Sequence, residues 1–189
     1  MAEDIASESR EKLRLENIFG AMSLALVDKM EKAFGAETGL GPSAVAAVVQ
    51  IGSNPGLSIE VLRRYIALSH SATVRLIDHL VEQGLVLRDS GTAGDRRSKA
   101  LHLTEAGTAV FQRNLAARRA VIDRAVGVLS DEETRGLGAL VEKLLPALVD
   151  LGDDQNVVCR VCDESVCVRE RCPISHMIGG PSPGLGRYP

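Results

Sequence analysis

The first 158 residues of this 189-residue chain contain no cysteine, and the whole chain has no tryptophan, two tyrosines and three phenylalanines. So few aromatic rings exclude a stacking platform for single-stranded nucleic acid, which needs successive aromatic faces. A long hydrophobic run is also missing. The longest uncharged stretch starts at Thr38 and stops at Glu60, and Pro42, Pro55 and several Gly and Ser interrupt it, so it does not suit a membrane span. The N-terminus, MAEDIASESREK, lacks the apolar segment of a signal peptide, which points to a cytoplasmic protein with no membrane partner. Excess positive charge is absent overall, at a formal net charge of -3. It appears only when the chain is divided: residues 1–40 carry net -3, residues 41–104 net +2 and residues 105–189 net -2. The middle third hints at an anionic partner, although a solvated surface explains so small an excess equally well. At 45% apolar and 25% charged residues, the composition is that of a globular chain able to bury a core without disulfides.

What is present is helical periodicity. Leu13, Ile18, Phe19, Met22, Leu26, Met30 and Phe34 recur at threes and fours and predict a helix over 8–35, stopped by Gly35 and then Gly39 and Gly41. Pro42 suits the first turn of a second, almost wholly apolar helix over 42–51. Ser58 can cap a short helix over 59–66. Ser71 can cap another over 72–83, stopped by Gly84, with Val74, Ile77, Leu80 and Val81 as its apolar face. Leu85–Asp89 and Lys99–Leu103 are strand candidates around a polar, Gly-bearing hairpin tip. Thr104 can cap a helix over 105–129, and Ser130 with Glu133 forms a capping box that opens a last helix over 131–151, kinked at Pro146.

Two short helices joined by a tight turn, then a hairpin with a basic tip, describe a winged helix-turn-helix. The expected fold is mainly α. A three-helix core plus β-hairpin wing occupies 41–104, long dimerisation helices occupy 8–40 and 105–152, and a cysteine-rich tail occupies 153–189. A helix fits the major groove of double-stranded DNA and meets base edges with its N-terminal residues. Ser69, His70, Ser71, Thr73 and Arg75 are therefore the candidate base or phosphate contacts. His79 reads equally well as a solvated helix residue. In the wing, Arg97 is placed in a groove, Arg96 on a phosphate, and Asp95 is expected to hold an arginine by a charge-assisted pair. The bland alternative is an αα-turn plus a β-hairpin that never meets nucleic acid.

The segment DRRSKALHLT, residues 95–104, matches the D-x-R-x5-L-T wing signature of MarR-type transcriptional regulators, with Asp95, Arg97, Leu103 and Thr104 at the defining positions. Gly107 completes the L-T-x-x-G, and LSHSATVRLIDHLVEQGLVLR (68–88) resembles the recognition helix running into the wing. The resemblance covers about residues 8–151. It implies DNA binding, a triangular homodimer built from the first and last two helices, and a small-molecule effector, for which no local motif names a pocket. It says nothing of the tail. The residues support a dimer independently, because the helices over 8–35 and 131–151 are more apolar than one small winged lobe needs. Such a dimer would read a pseudo-palindromic operator with half-sites about 10 bp apart or a multiple of that.

All four cysteines, Cys159, Cys162, Cys167 and Cys172, fall in a 14-residue window with the spacing C-x2-C-x4-C-x4-C, closed by Pro173. This equals the spacing of a zinc knuckle with Cys167 in place of the His, without the knuckle's usual Gly and aromatics. Four thiolates on so short a loop can surround one Zn²⁺. Dense cysteines ending in Cys-Pro also resemble iron–sulfur loops, though the internal spacing differs. Reduced thiols in a loose tail remain the bland reading. Arg160, Arg169 and Arg171 would offset thiolate charge in any metal state. Because the cysteines follow the last dimer helix, ordering of the tail is expected to press on the dimer helices.

These observations point to a DNA-binding repressor whose affinity responds to a metal or iron–sulfur centre held by the four cysteines. The alternative from another class is a metal- or redox-linked module whose winged domain binds protein. An enzyme fits least: coordination by four cysteines leaves no open position for substrate, and no nucleophile–base motif is present.

Overall fold

In the computed structural model, which describes residues 2–89, 100–150, 154–167 and 172–174, the chain begins with one long helix, α1 (Ala2–Thr38). It runs past Gly35 instead of ending there. A single glycine in a helix costs only about 1 kcal/mol, and the burial of neighbouring Phe34 against the core offsets it. The stop falls at Gly39, whose φ of +69° suits glycine and whose N–H donates to the Gly35 carbonyl at 3.0 Å. Helix α2 (Pro42–Ser53) has Pro42 in its first turn and buries every residue from Val45 to Ile51. It forms the centre of the core, packed on α5 and α3.

The winged lobe is built around α2. A two-residue strand, β1 (Leu57–Ser58), precedes α3 (Ile59–Tyr65); nothing in the sequence announced it. Ser58 caps α3 by accepting from the Val61 N–H at 3.2 Å. After the turn through Ala67, which adopts a left-handed φ of 53°, comes α4 (His70–Glu82). Strands β2 (Val86–Asp89) and β3 (Ala100–Leu103) pair antiparallel, Val86 opposite Leu103 and Asp89 opposite Ala100. β1 adds to the far edge of β3, giving the order β1-β3-β2. The hairpin tip, with Asp95, Arg96 and Arg97, lies outside the described residues.

Helix α5 (Glu105–Val126) starts at Thr104, whose side chain accepts from the Gly107 N–H at 2.9 Å, and it packs along α1. Helix α6 (Asp131–Leu144) opens with the anticipated capping box: Glu133 N–H donates to Ser130 at 3.3 Å and Ser130 N–H to Glu133 at 2.8 Å. The α-helix does not continue to 151. Pro146 converts the chain to a 3-10 turn over Leu145–Leu148, since its ring cannot follow an α-helical carbonyl ladder. Helix α7 (Gln155–Cys159) then packs against α3. No helix among the described residues is long and apolar enough to cross a membrane.

Two features position everything else. Gly84, with φ +70°, ends α4 in a Schellman turn: its N–H donates to the Val81 carbonyl and the Leu85 N–H to the Leu80 carbonyl, both at 2.9 Å. Gly107 lies so close to this turn that a Cβ on it would sit 2.0 Å from the Leu85 carbonyl oxygen. The glycine of the L-T-x-x-G pattern is therefore required by backbone contact. Gly107→Ala should lower unfolding stability by about 3 kcal/mol in a urea titration, because backbone cannot rotate away as a side chain can. Gly35→Ala, where nothing lies within 4 Å, should raise stability by about 0.5–1 kcal/mol.

Candidate nucleic-acid interface and thiol cluster

Helix α4 presents its N-terminal turn to solvent. Ser69, not Ser71, is the cap: its hydroxyl accepts from the Ala72 N–H at 3.2 Å, and the Ser71 hydroxyl lies 3.3 Å from it. Two serines two residues apart offer the same capping chemistry, and the tight turn from α3 decides in favour of the first. The helix consequently starts at His70, and its buried stripe is Thr73, Ile77 and Leu80, with Leu76 packed beside it. Val81, read as core, is exposed.

Burial sorts the candidate contacts. Ser69, His70, Ser71 and Arg75 are exposed and share one end of α4. Thr73 does not join them: it is fully buried, and its hydroxyl donates to the Ser69 carbonyl at 2.9 Å. Thr73 is a strut beneath the surface and cannot touch DNA there. His70 Nδ1 stands 3.6 Å from a Glu60 carboxylate oxygen, which also accepts from Arg63 Nε at 2.8 Å. That arginine, followed by His70, holds the Glu60 carboxyl below its ordinary range. The first turn of α4 thus stands beside the first turn of α3.

Asp78, in the middle of α4, pairs with Arg88 of β2 at 2.7 Å. Arg88 also reaches the Val74 carbonyl at 3.5 Å. This pair, missed in the sequence, ties the middle of α4 to the stem of the wing. Its only signal was an acid and a base ten residues apart across a helix-to-strand turn. Thr104 adds a second tie by donating to the Gly84 carbonyl at 2.7 Å. The wing root and α4 therefore form one rigid unit. Asp95, Arg96 and Arg97 lie outside the described residues.

The four cysteines are free thiols, and Cys159 lies near enough to Cys162, Cys167 and Cys172 for each to act on its charge. Cys159 donates to Cys162, which lowers the Cys162 thiol to about 7 despite its burial; the guanidinium of Arg118, from α5, acts in the same sense. Cys159 is raised, first by that hydrogen bond and then by burial. Cys167 is raised by partial loss of solvent and by Cys172 and Cys162. Among the described residues no three His, Cys, Asp or Glu side chains are grouped as a ready-made metal site. The segment is anchored to the winged lobe. Val161 packs against the core, and Asn54 donates to Glu164 at 3.3 Å. Ile174 is fully buried. Sequence order had suggested the dimer helices as the neighbour of this segment; its packing partner is α3.

Comparisons with known proteins agree with this architecture. Residues 38–98, which run from the end of α1 into the hairpin, match the MarR family model. The HTH-type transcriptional repressor MdtR of Bacillus subtilis is 25% identical over 77% of this chain and 90% of its own. Among solved structures, the YusO protein of Bacillus subtilis superposes with a TM-score of 0.65 at 22% identity, covering 74% of this chain and 97% of that one. A MarR family protein of Mycobacterium tuberculosis has been solved with DNA, with a TM-score of 0.55 at 22% identity over 69% of this chain and 96% of that one. The same protein has been solved with salicylic acid, with a TM-score of 0.54 at 25% identity over 69% of this chain and 95% of that one.

Thr73→Val should cost about 1 kcal/mol in a urea titration through loss of its buried hydrogen bond. The shape of α4's exposed face should be unaltered, as judged by an unchanged amide NMR pattern for His70, Ser71 and Arg75.

Proposed function

We propose that the chain is a transcriptional regulator of the MarR type, acting as a homodimeric, sequence-specific DNA-binding repressor; its residues 38–98 match the MarR family model. Its α4 enters the major groove of double-stranded DNA and its wing lies along the flanking groove. The observation that carries the reading is the N-terminal turn of α4. Ser69, His70, Ser71 and Arg75 stand exposed there on a helix pinned to the wing root by Asp78–Arg88. Short hydrogen-bonding groups and one guanidinium at a helix N-terminus suit base edges and phosphates. Arg96 and Arg97 add the groove and phosphate contacts of the wing, with Asp95 as their support.

The dimer rests on apolar surface that one chain leaves uncovered. Helix α6 buries no residue, and Leu140, Val141 and Leu144 are exposed along it. Leu15, Ile18, Phe19 and Met22 are exposed on α1. A two-fold partner would cover both faces and set two copies of α4 on successive half-sites. Repression follows from a dimer occupying a promoter, and a relative of the chain is named a repressor. A small-molecule effector is a further partner, by analogy with the relative solved with salicylic acid.

The test is an anisotropy titration of the full chain on DNA from upstream of its own reading frame, at two salt concentrations. Arg75→Ala and Arg97→Ala should each weaken binding by about 1–3 kcal/mol, while Thr73→Val stays within about twofold of the parent. If Arg97 only neutralises a phosphate, its loss should be uniform across sequences and lower the salt slope by about one. Absence of any salt-dependent binding would overturn the reading in favour of a protein-binding winged module. Leu144→Glu would bury a charge in the interface, so sedimentation should show loss of the dimer.

A further inference from the structure

We propose that Cys159, Cys162, Cys167 and Cys172 bind one thiophilic metal centre on the outer side of α3, and that its occupancy clamps the tail to the helix-turn-helix and raises DNA affinity. The second half rests on the DNA-binding reading above; the first does not.

The four sulfurs are close enough to interact electrostatically: Cys159 feels the other three, and Cys167 feels Cys162 and Cys172. On binding a cation the sulfurs give up to solvent the protons they hold and close around the ion. Two turns hold the backbone ready: Cys162 N–H donates to the Cys159 carbonyl at 2.8 Å and Cys167 N–H to the Asp163 carbonyl at 3.1 Å. Four thiolates around Zn²⁺, or around a cluster of the same charge, leave a formal charge of about -2. The guanidinium groups of Arg118 and Arg160, which act on Cys162, offset it. Arg118 comes from α5, so the compensation is supplied by the fold as well as by the tail. A packing role explains these thiols poorly, because Cys167 is exposed and the other three are only partly covered.

The place of the centre gives it a consequence. The segment is seated by α7 on α3, by Val161 in the core and by Glu164 on Asn54, the residue that ends α2. Helix α3 packs on α4 and, through Glu60 and His70, meets its first turn. A metal that closes the tail restrains α3, and a restrained α3 holds α4 in its binding orientation. Preorganisation of this kind raises affinity without a new contact.

The full chain, purified anaerobically, should carry either about one zinc per chain and no colour, or iron with inorganic sulfide and a brown absorbance that bleaches in air. Either result supports the site and tells the two metals apart. Cys162→Ser with Cys167→Ser should lose the metal. That variant should remain dimeric and folded by circular dichroism, become cleavable by trypsin at Arg160, and bind DNA about tenfold more weakly. Chelation of the parent should reproduce these changes, which guards against a folding defect in the variant. A parent protein free of zinc and iron, and unable to take up either when reduced, overturns the site. A loaded parent whose DNA affinity equals that of the variant and of the chelated form overturns the coupling. If neither form binds DNA, the DNA-binding reading has failed, while metal content and trypsin protection still decide the site.

Discussion

The carbonyl of Leu85 is the point on which the architecture turns. It accepts from the Thr104 backbone N–H at 3.1 Å, and the Thr104 hydroxyl stands 3.4 Å away. It also occupies the space into which any side chain on residue 107 would project. One oxygen thereby gathers the end of α4, the start of β2, the end of β3 and the first turn of α5. Helix α4 leaves this junction in one direction and the wing in another, and Asp78–Arg88 braces the angle between them. The surface offered by Ser69, His70, Ser71 and Arg75, at the opposite end of α4, inherits its orientation from that junction.

Sequence reasoning reached most of the elements because their ends carry strong local chemistry. Ser58, Thr104 and Ser130 cap the helices they were expected to cap, and Gly84 ends α4 as expected. The misreadings share one cause: local signals of equal strength that only tertiary contact can rank. Ser69 and Ser71 are interchangeable as caps, and side-chain polarity alone made Thr73 read as surface and Val81 as core, where packing decides the reverse. The pattern over 131–151 is apolar enough for one helix, but Pro146 breaks the ladder early. β1 is two residues long and exists only because β3 offers it an edge.

The tail shows the same limit at longer range. Spacing alone marked the four cysteines as a local device. It could not say where the device sits, because chain order puts it beside α6 while Glu164 meets Asn54, 110 positions upstream. Nor could it show that Arg118, 44 positions before Cys162, supplies positive charge to the cluster. Long-range placement of this kind depends on how α2, α3 and α5 pack together, and no periodicity in the tail encodes it.

The Schellman turn at Gly84 joins α4 to β2 with almost no intervening chain. Successive helical residues differ by about 100° around the axis. One residue added or removed between Leu80 and Val86 would therefore swing the exposed face of α4 by more than a quarter turn against a fixed sheet. Length in this stretch behaves as a discrete quantity, like the teeth of a gear. Substitutions can tune which groups α4 presents, but insertions and deletions can be absorbed only beyond Asp89, where a change of length leaves the helix unturned.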